Sequence, residues 1–428
     1  MSSRNDNAVQ RDCPRFIPRQ MLQLLGIANI DDVQLGENIE KDVTLFFTDI
    51  RDFTALSSTM MSSDVFRFIN SYLNTMEPVI ERNNGVTDKY IGDAIMGIFP
   101  RSADDAIRAG IEILRRLVVY NEGRVRAGFV PIRIGIGINT GLAILGTIGG
   151  HGRMDTTVLG DAVNLASRIE GLTKRYSVQM LISEDTRSFL ANPDMYRMRL
   201  VDRAFIRGQS FPQLLYEVFD ADPDDIQKAK IETDDQLQEG ISLYHLEEYV
   251  GALQRFMDCN NRLPSDGVSN AYIQECHRRI SGESLAPRIH RLNGQPGLMD
   301  AEVETKQAKF LAVLASLRIA SAINIEWLDR ARSALETFHE YRTAEALLMS
   351  RFAYPFSHCH EIHHHAIAAR LETLAETGAT ISAAKMRFNA VLLFDKVLNH
   401  FAKADHHLAH YIRRTVSQPT TGRILARS

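Results

Sequence analysis

Asp49 and Asp93 are the residues whose type and setting point most directly to chemistry. Each falls where an apolar run meets a turn: Val43-Thr-Leu-Phe-Phe-Thr-Asp49-Ile-Arg-Asp-Phe-Thr54 and Lys89-Tyr-Ile-Gly-Asp93-Ala-Ile-Met-Gly-Ile-Phe99. A carboxylate ending one strand and another in a hairpin turn can meet at one edge of a sheet. Two hard oxygen ligands at such a point suit a pair of Mg²⁺ ions, the least a site needs for moving a phosphoryl group. Asn164 and Arg168 are four apart on a predicted helix and share a face. An amide and a guanidinium side by side can orient a ribose and hold developing phosphoryl charge. His360 and His364 repeat the four-residue spacing further on, a natural metal pair.

These residues need elements to hold them. At 428 residues the chain is too long for one ordinary core, and two or three domains are expected. Residues 1–37 form an N-terminal segment that becomes amphipathic at Phe16–Gly26, a short helix suited to packing under the next domain or to pairing with a second chain. Residues 38–220 alternate apolar strands (43–48, 95–99, 132–138, 178–182, 213–219) with helical runs (61–83, 102–120, 160–175), a sheet with covering helices. Residues 221–283 form a helical connector in which Leu237 to Pro264 resembles one helix pair of the tetratricopeptide type. Pro287, Gly294, Pro296 and Gly297 mark a linker over 284–299. Residues 300–415 are helical throughout, with runs at 301–322, 327–353, 357–376 and 381–414 that predict an all-α four-helix bundle. Ten of the fourteen histidines lie between His339 and His410, which marks this part as a separate module.

Composition narrows the class of partner. The net charge is -4 with no basic block, so no nucleic-acid partner is expected. The four cysteines (Cys13, Cys259, Cys276, Cys359) lack CxxC spacing, which argues against a disulfide framework or a zinc knuckle. The start of the chain is polar, and the longest apolar stretch, 310–325, is broken by Arg318, so neither a signal peptide nor a membrane span is expected. A cytoplasmic protein is the expectation.

Three motifs carry a resemblance: Phe47-Thr-Asp49-Ile-Arg-Asp-Phe-Thr54, Asp88-Lys89-Tyr-Ile-Gly-Asp93-Ala-Ile-Met96, and Thr157-Val-Leu-Gly-Asp-Ala-Val-Asn164-Leu-Ala-Ser-Arg168-Ile-Glu170. In order and spacing they resemble class III nucleotidyl cyclases over roughly residues 38–220. The resemblance implies an α+β, ferredoxin-like domain with a central antiparallel sheet and flanking helices. It implies that Asp49 and Asp93 hold two Mg²⁺ or Mn²⁺ ions, with the Ile50 carbonyl as a further ligand. Asn164 and Arg168 match its transition-state pair. Lys89 and Thr157 match its base-reading positions, and a lysine donor with a hydroxyl acceptor suits adenine, so ATP is favoured over GTP. Arg207 stands where the family has a lysine and is a candidate triphosphate contact. Metal ligands and base contacts come from opposite chains in the family, which implies a homodimer. The implied activity is an adenylate cyclase. A guanylate cyclase is one alternative, and a non-catalytic iron or oxygen sensor built on a cyclase-fold scaffold is another.

Glu345-Ala-Leu-Leu-Met349, Tyr354-Pro355, His360…His364 and His400…Asp405 resemble hemerythrin-like bundles. That resemblance implies iron held by His360, His364, His400, Glu345 and Asp405. Tyr341 and Gln307 stand where the family has two further histidines. Three readings stay open: a modified or single-metal sensing site, a bundle without metal, and a di-iron O₂ site. The remaining histidines (His358, His363, His365, His406, His407, His410) are expected on solvated faces. A sensor-like bundle fused to a dimer-dependent enzyme suggests regulation of one by the other.

Overall fold

The structure, a computed structural model, describes residues 19–27, 32–150, 153–282, 301–319, 325–376 and 382–417. The expected linker over 284–299 lies outside these residues, as do Cys13 and the start of the amphipathic segment. The elements up to residue 218 are α1 (Arg19–Leu24), β1 (Asn38–Ile50), α2 (Phe53–Ser57), α3 (Ser62–Arg82), β2 (Val86–Ile91), β3 (Ala94–Phe99), α4 (Ala103–Arg126), β4 (Ile134–Gly150), β5 (Arg153–Leu159), α5 (Asp161–Arg175), β6 (Met180–Ser183), α6 (Glu184–Ser188), β7 (Met198–Ala204) and β8 (Gln213–Val218). Helices follow: α7 (Asp224–His245), α8 (Tyr249–Arg262), α9 (Gly267–Ile280), α10 (Ala301–Ile319), α11 (Ile325–Arg351), α12 (Ser357–Glu376), α13 (Ala383–His400) and α14 (His406–Ser417). The class is α+β.

The sheet runs β2-β3-β1-β4-β6-β8-β7, with β5 folded back on β4. The expected antiparallel sheet is antiparallel at every pair but one. β4 and β6 run parallel, with Ile136 opposite Met180, so the sheet is mixed. Helix α5 supplies the crossover that a parallel pair requires. Strands β5 and β7 and the short helices α2 and α6 were not foreseen. β5 (Arg-Met-Asp-Thr-Thr-Val-Leu) and β7 (Met-Arg-Leu-Val-Asp-Arg-Ala) carry charges that interrupt the apolar signal of a strand.

One face of β1 buries Val43, Leu45 and Phe47 against Met96, Ile98, Leu145, Val158 and, from α1, Met21. On the other face Phe46 meets Phe99 at 5.8 Å between ring centres. Helix α3 buries Phe68, Tyr72, Leu73, Met76, Val79 and Ile80, a three-to-four spacing that sets one apolar stripe against the sheet. Helix α4 begins at Ser102, whose hydroxyl accepts the Asp104 amide at 3.1 Å.

The described chain divides into two compact units. The first takes residues up to Ile206 together with Gln213–Asp235 and Phe256–Glu275; the second takes Arg207–Pro212, Gln236–Arg255 and the chain from Cys276 on. In the first unit a buried charge network ties helices to the sheet. Arg199 on β7 donates to Glu217 on β8 at 2.7 Å and pairs with Asp266. Lys230 on α7 reaches Glu217 at 2.6 Å. Tyr176 and Tyr272 both donate to Asp202, Tyr272 at 2.7 Å. The Arg199 guanidinium, acting against the cost of burial, holds Asp266 below its ordinary carboxylate range.

In the second unit α10 to α13 bury Phe310, Leu314, Trp327, Phe338, Tyr341, Leu371 and Leu393. The fourth helical run expected over 381–414 is not continuous. It breaks into a π-helical turn, Phe401–Asp405, between α13 and α14. His245 stacks on Phe388 with ring centres 5.2 Å apart.

Arg199→Met should destabilise the protein by about 3–5 kcal/mol, because it leaves Glu217 and Asp266 buried without their cation. Urea unfolding checks this.

Candidate functional site

The end of β1 is fixed by register. Thr48 pairs with Ile95 on β3, and Asp49 pairs with Gly135 on β4. The β2–β3 turn carries Gly92 at φ +67°, a left-handed value that glycine adopts freely, and Asp93 follows it. Asp93 therefore stands beside the end of β1, where its Oδ2 accepts the Ile50 amide at 3.2 Å. The two aspartates meet as the sequence suggested. Burial, then the hydrogen bond and charge of Asp49, raise Asp93 to about 7. Asp49 Oδ1 is buried without a hydrogen-bond partner. Two crowded carboxylates with a spare buried oxygen offer the donors and the surplus negative charge that a divalent cation neutralises, so the residues fit Mg²⁺ or Mn²⁺.

A third carboxylate belongs to this neighbourhood. Burial and the charge of Asp49 raise Glu170 on α5 to about 7, with Arg51 pulling the other way. Arg51 donates to Thr173 Oγ1 at 2.6 Å and to the Val178 carbonyl at 3.0 Å, which pins the segment after β1 onto α5. Glycines in β4 permit this closeness. A Cβ on Gly137 would stand 2.2 Å from the Glu170 amide nitrogen, and one on Gly135 2.4 Å from Glu170 Oε1. Sequence reasoning assigned no role to Glu170, Arg51 or these glycines. The Ile134-Gly-Ile-Gly-Ile138 alternation was the available signal, since small residues on one strand face mark a close helix crossing.

Lys89 and Thr157 come together within one chain. Lys89 Nζ donates to Thr157 Oγ1 at 2.8 Å and lies 3.2 Å from Asp88 Oδ2. Register shifts in β2 between Thr87 and Lys89. Such a bulge re-aims side chains, and here it sets the acidic group of Asp88 beside the ammonium. Asp88 is raised above its ordinary value by burial, with Lys89 opposing. Asn164 and Arg168 are exposed on one face of α5, while their neighbours Leu165, Ala166 and Ile169 are buried on the other. Arg207 is exposed in the loop between β7 and β8, and Gly208 beside it has φ +83°.

The bundle residues also converge. Glu345 is fully buried, and His360, His364, His400 and Asp405 keep at most 5% exposure. His360 and His364 stand 3.1 and 3.0 Å from Glu345 Oε2. His400 Nε2 is 2.9 Å from Asp405 Oδ1. Residues five apart on an α-helix point about 140° away from each other; the π turn brings His400 and Asp405 back to one side. Tyr341 donates to Glu345 at 2.8 Å and to Asp405 Oδ2 at 2.6 Å, and Gln307 donates to the same oxygen at 2.9 Å. Burial, followed by the two carboxylates, pushes the Tyr341 phenol well above its ordinary value. Burial lowers His364 to about 4, while Glu345 and Asp405 outweigh burial and raise His360 to about 10. His363 and His407 depart from the expected solvated faces. Both are half-buried, and Tyr354 and His407 are hydrogen-bonded at 2.7 Å.

Residues 37–218 match the family described as adenylate and guanylate cyclase catalytic domain. The chain thus carries a class III nucleotidyl cyclase catalytic domain. Its similarity to the adenylate cyclase, terminal-differentiation specific, of Dictyostelium discoideum is 39% identity, over 62% of this chain and 13% of that protein. With the adenylate cyclase of Anabaena cylindrica it is 38%, over 48% of this chain and 42% of that protein. The chain therefore spans less than half of either relative. The crystal structure of the adenylyl cyclase CyaB from P. aeruginosa aligns at 32% identity over 44% of this chain and 98% of that one, with a TM-score of 0.40. No helix among the described residues is long and apolar enough to cross a membrane.

Gly137→Ala should force α5 away from β4, because the clash is with helix backbone that cannot rotate aside. A loss of about 3 kcal/mol is expected, checked by the urea midpoint.

Proposed function

We propose that this protein is an adenylate cyclase that converts ATP to 3′,5′-cyclic AMP and pyrophosphate. The observation that carries the reading is the convergence of Asp49 and Asp93 at the end of β1, charge-crowded and with Asp49 Oδ1 buried and unpartnered. Asp49, Asp93 and the Ile50 carbonyl would hold two Mg²⁺ or Mn²⁺ ions. Bound there, such ions supply the Lewis acidity that activates a ribose hydroxyl and neutralises phosphate charge. In the reaction the 3′-oxygen bonds to the α-phosphorus and the bond from that phosphorus to the pyrophosphate oxygen breaks.

The remaining roles fall to side chains. Lys89, held by Thr157 and Asp88, keeps a further N–H to donate to adenine N1. The Thr157 oxygen accepts from the adenine amino group. Guanine presents the reverse pattern at these atoms, so the pair favours ATP. Asn164 orients the ribose, Arg168 stabilises charge on the transferring phosphoryl group, and Arg207 contacts the triphosphate.

The enzyme acts as a homodimer in this reading. Apolar side chains of β2, β4 and β5 support it: Tyr90, Ile91, Ile144, Ile148 and Leu159 are each 39–54% exposed, and Ile144 pairs directly with Leu159. A patch of this kind on a chain that carries one copy of each residue set suits burial against a second copy. The bundle, hemerythrin-like by resemblance, regulates the cyclase through dimer geometry. Turnover of the full chain that is indifferent to iron loading, O₂ and redox state would remove that part of the reading.

Asp49→Ala should reduce cyclic AMP formation by at least about a thousandfold, a barrier increase of roughly 4 kcal/mol, with folding unchanged by circular dichroism. Lys89→Glu should lower kcat/KM for ATP by about tenfold or more and narrow its lead over GTP, measured with both nucleotides in Mn²⁺. Leu159→Glu should give a monomer by light scattering and a silent enzyme. A monomer with full turnover would contradict the dimer reading.

A further inference from the structure

A buried cluster on α11, α12, α13 and the π turn lies within the second unit. Glu345, His360, His364 and His400 each offer a ligand atom within 4.8 Å of all the others. Five atoms form a ring. Glu345 Oε2 is 3.1 Å from His360 Nε2 and 3.0 Å from His364 Nε2. His364 Nε2 is 3.0 Å from His400 Nε2. Asp405 Oδ1 is 2.9 Å from His400 Nε2 and 3.4 Å from His360 Nε2.

Hydrogen bonds join His360 to Glu345 and His364 to His400, but they leave buried oxygens of both carboxylates over. Asp405 Oδ1 is buried and has no hydrogen-bond partner despite its short contact with His400, and Glu345 Oε1 is likewise buried without one. Ligands bonded at about 2.1 Å to a common ion stand about 3.0 Å apart when they are neighbours at right angles. We propose that Glu345, His360, His364, His400 and Asp405 bind a single divalent transition-metal ion, and that Tyr341 and Gln307 close the position a second ion would need.

The donor set defines the ion. Three imidazoles with two carboxylates suit Fe²⁺, Co²⁺ or Zn²⁺ rather than Mg²⁺ or Ca²⁺. A divalent charge cancels the two carboxylates and leaves a neutral site in a water-excluded interior. A second ion would require the far oxygen of Asp405. That oxygen already accepts from Tyr341 at 2.6 Å and from Gln307 at 2.9 Å, so both of its lone pairs are engaged and a second ion there would have to displace the two donors. The two irons implied by the hemerythrin resemblance therefore do not fit this chain, whereas one ion does.

The test uses the full chain carrying Asp49→Ala and Asp93→Ala, so that the cyclase site binds no cation. Anaerobic dialysis against Fe²⁺, and separately Co²⁺, followed by elemental analysis, should give one equivalent per chain. Bound Co²⁺ should show the visible ligand-field bands of a nitrogen–oxygen site. Adding His364→Ala and His400→Ala should remove both the equivalent and the bands, with helical content checked by circular dichroism. Gln307→His with Tyr341→His should admit a second equivalent. Two equivalents in the parent chain, no bound metal, or Co²⁺ bound without these bands would overturn the proposal. One equivalent in the double histidine variant would overturn the part assigned to Tyr341 and Gln307. The parent measurement stands even if a variant fails to fold.

Discussion

Two carboxylates held side by side are the constraint on which the candidate cyclase site depends. Asp49 and Asp93 repel each other, and the surrounding fold has to keep them together. It does so through backbone. Register fixes Asp49 at the end of the long strand β1, the left-handed Gly92 turns the β2–β3 hairpin toward it, and the Ile50 amide clamps Asp93. Glu170 adds to the crowding from α5, and Gly137 lets that helix lie close enough to do so. Such a site is unfavourable by itself, and a divalent cation relieves it. Structure and proposed chemistry share this cause.

The bundle treats buried charge differently. Its two carboxylates are enclosed, faced by three imidazoles on one side and by the neutral donors Tyr341 and Gln307 on the other. Asp49 and Asp93 are both half-buried at the end of β1, where the proposed reaction needs a nucleotide to enter. One site suits ions that exchange together with substrate, and the other suits an ion that stays. In the proposed reading, an ion held in a module fused to the enzyme serves as a sensing element.

Much of this was legible in the sequence where chemistry and backbone period coincide. The Asp49 and Asp93 runs read correctly as strand-to-turn positions because apolar strands and glycine punctuation bracket them. The i,i+4 spacings of Asn164 with Arg168 and of His360 with His364 read correctly because helix geometry fixes them. What stayed hidden depends on tertiary approach. Glu170 became part of the site only through a helix crossing over glycines. Strands β5 and β7 hid behind charged residues, some of which, such as Arg199 and Asp202, are paired inside the fold. The π turn that brings His400 and Asp405 together has no propensity signature, since a single extra residue in a helix alters no hydrophobic count.

The central claim is that the Asp49–Asp93 site cyclises ATP. The most direct measurement is to incubate the purified full chain with ATP and Mn²⁺ and to resolve the products by chromatography over a range of protein concentrations. Cyclic AMP and pyrophosphate should form in equal amounts, with specific activity rising as the chain dimerises. ADP, AMP or unchanged ATP at every concentration would contradict the claim.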